Sequence, residues 1–247
     1  VPNTEFLLIA CLAATFVGLS KGGLPVVGML GVPVLSLLTS PVQAATLLLP
    51  IYVLSDMVGI WLYRRDYSSI NLKILVPAGV LGVLLGWSTA AYLSDRAIGF
   101  LIGGLGVGFC LNAWIRHASA AEARPARVGK GLFWGAMAGF TSFISHSGGP
   151  PFQIYVLPQR LTKTVFAGTS TLFFAFINAA KIIPYQQLRP YSVSDLQTAA
   201  WLMPAALIGT VAGAWLTRRI VDRGFFRLVQ WALFLISLQL IYKALNP

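Results

Sequence analysis

The chain alternates long apolar runs with short clusters of charge. The runs are Val42–Tyr63, Ile74–Leu93, Ala97–Ile115, Val165–Ile183, Leu196–Thr217 and Phe225–Tyr242. As helices rising ~1.5 Å per residue, each is about long enough to cross the ~30 Å hydrocarbon core of a bilayer. The pattern therefore predicts an all-α polytopic membrane protein with six crossing helices. Two further apolar regions are interrupted. Glu5–Gly18 and Leu24–Leu38 flank Leu19-Ser-Lys-Gly-Gly23, and Gly131–Ser145 and Phe152–Leu157 flank His146-Ser-Gly-Gly-Pro-Pro151. Flanks of at most about 15 residues, or ~22 Å as helix, fall short of a crossing. Both regions are predicted to be broken, re-entrant hairpins with tips near mid-membrane and half-helices starting at Leu24 and Phe152. Glycine and proline free backbone groups there that a lipid-facing helix cannot leave unpaired.

The second half repeats the first. Pro77, Gly82, Gly86, Asp95 and Arg96 have identically spaced counterparts in Pro204, Gly209, Gly213, Asp222 and Arg223. Gly22-Gly23 with Pro25 answers to Gly148-Gly149 with Pro151. Internal duplication of this kind is a common origin of transporter folds. The predicted organisation is a first membrane repeat over 1–116, a linker over 117–128 and a second repeat over 129–247. Each repeat is a hairpin followed by three crossing helices.

Charge decides how the copies are oriented. If the hairpins do not cross, one face collects Arg64, Arg65, Lys73, Arg116, Arg124, Arg127, Lys130, Arg160, Lys163, Arg218, Arg219, Arg223 and Arg227. The other face collects only Arg96, Arg189 and Lys243. So strong a bias marks the first face as cytoplasmic. It predicts both termini outside, a cytoplasmic linker and, because each repeat crosses an odd number of times, inverted repeats. Composition agrees: 57% of residues are hydrophobic and 10% charged, against about 25% charged in soluble domains. The net charge of +11 reads as cytoplasmic Lys and Arg rather than as a nucleic-acid surface, since no aromatic–basic motif accompanies it. Cys11 and Cys110 lie in apolar runs and predict neither a disulfide nor a metal site. The first apolar stretch lacks a basic n-region and a cleavage pattern, and is expected to be mature structure.

Candidate chemistry sits where ionisable residues enter apolar segments, because each is costly there. These are Lys21, Asp56, His146 and Lys181. Lys21 and His146 fall on the two tips beside paired glycines, which let backbone N–H groups approach a ligand. Half-helix N-termini add partial positive charge. The candidate anion-binding residues are Lys21, Gly22, Gly23, His146, Ser147, Gly148, Gly149, Thr169 and Asn178. Asp56 and Lys181 are candidates for coupling or gating. Three alternatives stand beside these: a Lys21–Asp56 salt bridge, a snorkelling Lys181 near Pro184, and a hydrogen-bonded strut at His146. The four-residue spacings Gly82/Gly86 and Gly209/Gly213 predict helix packing. Gly103-Gly-Leu-Gly-Val-Gly108 lies within a span and is no nucleotide loop.

The ordered set Gly18-Leu-Ser-Lys-Gly-Gly23, Gln43-Ala-Ala-Thr46, Tyr63-Arg-Arg-Asp66, Ser147-Gly-Gly-Pro-Pro151, Leu157-Pro-Gln-Arg160 and Ala167-Gly-Thr-Ser170 resembles the sulfite exporter TauE/SafE family of permeases. The resemblance covers nearly the whole chain. The first copy departs from the family pattern in having Thr46-Leu47 where Thr-Ser is usual. The resemblance implies an inner-membrane secondary transporter that exports a sulfur-containing anion such as sulfite or an organosulfonate; in such a membrane the charge bias predicts periplasmic termini. The residues themselves reach a small anion, with protons as a candidate coupling ion, the bilayer as partner and no cofactor. A passive anion channel is the alternative. A serine hydrolase using Ser145 or Ser147 with His146 is the distant third, because adjacent Ser and His rarely reach each other. The expectation is a transporter and not an enzyme.

Overall fold

A computed structural model describes residues 4–25, 27–35, 38–39, 41–89, 95–115, 123–188 and 190–246. The predicted end of the second run (90–93), most of the linker (117–122) and Arg189 lie outside these. The helices are α1 (Thr4–Lys21), α2 (Gly31–Leu35), α3 (Pro41–Tyr63), α4 (Ser69–Thr89), α5 (Asp95–Ile115), α6 (Val128–Ser145), α7 (Gly149–Val156), α8 (Lys163–Leu188), α9 (Val193–Arg219) and α10 (Asp222–Leu245). Among the described residues there is no strand, and the fold is that of an all-α polytopic membrane protein. Helices occupy all six predicted crossing segments. Pro50, Pro77, Pro184 and Pro204 lie inside α3, α4, α8 and α9, as membrane helices tolerate. Ser192 and Asp195 form a capping box that starts α9.

Two expectations about the hairpins are corrected. The first arms are not short: α1 and α6 each have 18 residues, ~27 Å of helix. Among the described residues α1 is one of five helices long and apolar enough to cross a membrane, with α3, α4, α8 and α9. The return arms do not start at Leu24 and Phe152. In the first hairpin a 3₁₀ turn over Val27–Leu30 precedes the five-residue α2. In the second, α7 starts at Gly149, with Pro150 and Pro151 in its first turn, where a missing N–H costs nothing.

The chain packs as two compact units. One comprises Val1–Ser68 with Thr164–Ile220, the other Ser69–Lys163 with Val221–Pro247. Each takes a hairpin from one half of the sequence and a packing partner for it from the other half. In the first unit α1 runs parallel to α9: a Cβ on Gly18 would fall on the backbone of Ala206 and Thr210, and one on Gly22 on that of Thr210, Gly213 and Ala214. From the other side Gly209 faces Thr15 and Leu19, and Gly213 faces Leu19 and Gly22. In the second unit α6 runs parallel to α4, with Gly131 at Ile74, Gly139 at Gly79, Gly82 at Ala136 and Phe140, and Gly86 at Phe143. The four-residue glycine spacings are thus helix-packing seams, as predicted. Gly103 and Gly106 likewise pack α5 against Ser237 of α10.

The α6 register also places its tip. Since α6 keeps abreast of α4 as far as Gly86, the tip at His146 lies near the C-terminal end of α4 and not half way along it. The chain then turns back. The Arg124 amide donates to the Pro158 carbonyl (3.1 Å) and the Tyr155 hydroxyl to the Arg127 carbonyl (3.3 Å). The second hairpin therefore enters and leaves at the same end.

Candidate functional site

The first unit concentrates its polar groups where α1 stops. The helix ends at Lys21 because Gly23 adopts φ 114°, a conformation that favours glycine. The last carbonyls of any helix lack partners within its regular ladder; here the amides of Gly22, Gly23 and Leu24 take those of Gly18, Ser20 and Leu19, and hydroxyls from three other helices take the next two. Thr171 of α8 donates to the Lys21 carbonyl (3.0 Å). Tyr63 of α3 (2.5 Å) and Thr217 of α9 (3.2 Å) both donate to that of Gly22. The glycine pair thus has packing reasons. Gly22 admits the α9 backbone, and a Cβ on Gly23 would meet Tyr63, Thr217 and Ala167.

Lys21 is the centre of this arrangement. Its Nζ lies 2.8 Å from Asp56 Oδ1, 5.0 Å above the Tyr52 ring and 5.9 Å from that of Phe174. Asn178 Nδ2 donates to the other Asp56 oxygen at 2.8 Å. The carboxylate is therefore held on both sides by charge-assisted contacts, and the cation also faces two aromatic rings. Lys21, Asp56, Asn178 and Lys181 are all buried, Lys181 with no exposed surface. The snorkelling alternative for Lys181 is thereby overturned. Lys181 stays inside the protein, within electrostatic range of Lys21 and Asp56. A buried ion pair contributes little net stability, because desolvation offsets attraction.

The dipole expectation also changes. The end of α1 at this tip is a C-terminus, which favours the cation of Lys21. The five residues of α2 are too few to present a substantial positive end.

The remaining predicted residues lie elsewhere. Thr169 is buried in the first unit, but its hydroxyl donates to Val165 O (2.6 Å) and accepts from the Ser68 amide (2.9 Å), tying α8 to the loop after α3. His146, Ser147, Gly148 and Gly149 belong to the second unit. His146 ends α6 in the left-handed conformation (φ 53°), with its amide donating to Ser142 O (3.1 Å) and that of Ser147 to Thr141 O (3.2 Å). The Thr141 hydroxyl in turn donates to Ser147 O (3.1 Å). Gly148 takes an ordinary right-handed helical conformation.

Sequence reasoning missed Tyr52, Tyr63, Thr171 and Thr217. A signal was present for most of them. Thr171, Phe174, Asn178, Lys181 and Tyr185 recur at three- or four-residue steps along α8, as do Tyr52, Asp56, Gly59 and Tyr63 along α3. Such steps form one face of a helix. The second unit holds another missed residue, Gln153 of α7. Its fully buried amide has neither atom hydrogen-bonded.

A multi-pass helical membrane protein with buried lysines and a buried carboxylate at a helix break belongs to the transporter class. The sulfite exporter TauE/SafE description matches residues 7–240, essentially the whole chain, and the chain belongs to that family of membrane permeases. Comparison with curated proteins and with solved structures found no match.

Proposed function

We propose that the protein carries a small sulfur-containing monoanion, the hydrogensulfite form of sulfite or an organosulfonate, outward across the inner membrane by alternating access. The observation that carries this reading is a charge tally. Among the described residues, the buried basic and acidic side chains of the first unit are two lysines, Lys21 and Lys181, and one carboxylate, Asp56. Two cations to one carboxylate leave the cluster with one positive charge in excess, and a monoanionic substrate balances it, with Asn178 holding Asp56 in place. A neutral loaded cluster is occluded in a low-dielectric interior at lower cost than a charged empty one, whose slower return completes the cycle. Export needs no coupling proton under this scheme. An interior-negative potential drives an anion out with about 2.3 kcal/mol per charge per 100 mV.

The basic-residue bias of the sequence supports an orientation with both termini periplasmic and residues 123–127 cytoplasmic. Ala123→Cys is expected to resist impermeant thiol reagents in intact cells and to label in inverted vesicles. Labelling in intact cells rejects that topology. The function is tested in proteoliposomes loaded with sulfite. Efflux is expected to saturate with substrate and to accelerate under an interior-negative potassium diffusion potential. Efflux indifferent to potential, or absent for sulfite and short sulfonates alike, rejects the reading.

A further inference from the structure

The second unit contains a cavity of about 440 Å³ that the transport reading does not use. It opens at the mouth of the re-entrant hairpin, where Arg124, Arg127 and Lys130 line it with Trp134, Tyr155 and Pro158. Three features make it a built site rather than a chance gathering of surface cations. The backbone carrying two of the cations is tied to the returning arm by the Arg124–Pro158 and Tyr155–Arg127 hydrogen bonds. The amide at its wall is already satisfied, since Gln159 and Asn71 exchange hydrogen bonds of 2.9 and 3.1 Å. Among the described residues no carboxylate lines it, and its three cations face a ligand-sized space. The cavity flanked by Trp61, Arg64, Arg65 and Arg218 is different, because Asp66 stands among its cations.

Its depth indicates the ligand. Asn71 lies in the first turn of α4, a membrane-spanning helix, so the Asn71–Gln159 pair places the cavity at the level where the span leaves the membrane. Tryptophan and tyrosine beside cations are the usual lining of that boundary. Basic pockets there take phosphate headgroups, and the volume falls within the range of small-ligand sites. We propose that the cavity binds a phosphate ester anion, supplied by the headgroup of an anionic phospholipid, with Arg124, Arg127 and Lys130 on the phosphate. Trp134 and Pro158 lie against the glycerol.

The test is native mass spectrometry of the full chain in mild detergent with phosphatidylglycerol or phosphatidylcholine, and with glycerol 3-phosphate as soluble competitor. Wild type is expected to retain one phosphatidylglycerol under conditions that strip phosphatidylcholine. With about fivefold per basic residue, the R124Q/R127Q/K130Q protein is expected to bind it on the order of a hundredfold more weakly. The R64Q/R65Q/R218Q protein should retain it, and the charge-preserving R124K/R127K protein should lie within a few fold of wild type, so the site is read even if the triple variant folds poorly. Displacement by glycerol 3-phosphate at concentrations that also hold it without lipid supports the phosphate site and overturns the lipid as its source. Equal retention of both lipids, or loss equal in the two triple variants, overturns the site. Sulfite flux is not the readout, so failure of the transport reading leaves this result intact.

Discussion

The two hairpins use one packing device and carry different chemistry. In each, a first arm of 18 residues lies parallel to a proline-containing span along a seam of small residues. The spacing that relates Pro77 to Pro204 also relates Gly79 to Ala206. Gly139, packed on Gly79, is therefore the counterpart of Gly18, packed on Ala206. That register sets Ser142, not His146, opposite Lys21, and α6 continues about one turn beyond that point. The first hairpin stops a turn early, and the stop leaves Lys21 in the interior beside Asp56. The second hairpin runs on to a left-handed His146 and a true eight-residue return helix. Among the described residues, a buried lysine thus stands at the tip of the first hairpin and not at that of the second.

The largest effect that sharpens this contrast is the removal of one charge from the first unit. Lys21→Ala leaves Asp56 buried without its cation and is expected to cost ~3–5 kcal/mol. The double variant Lys21→Ala with Asp56→Ala should melt close to wild type, by thermal unfolding in detergent. If the double variant is no more stable than Lys21→Ala, the pair is not coupled. At Ser142, its register counterpart, no charge is at stake.

The packing seam gives the next largest effect. Gly139→Ala sets a Cβ on the backbone of Gly79, while Gly104→Ala meets nothing within 4 Å. The first is expected to cost ~1–3 kcal/mol through forced separation of α4 and α6. The second should be neutral or slightly stabilising, by up to ~1 kcal/mol, from helix propensity. Equal melting temperatures for the two variants would contradict the close approach. Smaller still, Tyr63→Phe removes one of two hydroxyl donors to the Gly22 carbonyl. It should cost ~0.5–1.5 kcal/mol, with Thr217 retaining the other bond; a loss as large as that of Lys21→Ala would mean the α1 terminus depends on Tyr63 alone.

Much of this architecture was legible because the bilayer imposes it. Apolar runs of membrane length can only be spanning helices, and all six became helices. The glycine pairs at Gly82/Gly86 and Gly209/Gly213 announced close packing because nothing larger fits such a seam. What the sequence concealed was depth and partner choice. Counting uncharged residues ended α1 before Lys21, whereas the helix includes that lysine, because Asp56 and Thr171 come from distant parts of the chain to satisfy it. Lys181 looked like an interfacial residue because Pro184 follows closely and proline ordinarily ends a helix, yet α8 continues through it to Leu188. The aligned glycines at Gly22 and Gly148 suggested equivalent tips, but the packing register does not coincide with that alignment. A linear comparison weighs identical letters, and the helices answer to which surfaces touch.

The charge a transported anion neutralises is the excess of two buried lysines over one buried carboxylate, and Lys181→Met tests that claim most directly. Methionine keeps the length of the side chain and removes the charge from a fully buried position. The measurement is sulfite efflux from proteoliposomes under an interior-negative potential, alongside the melting temperature of the same preparation. The expected result is loss of potential-driven efflux in a protein that melts at or above the wild-type temperature, since a desolvated charge has been removed. Efflux within twofold of wild type, still accelerated by the potential, would contradict the claim.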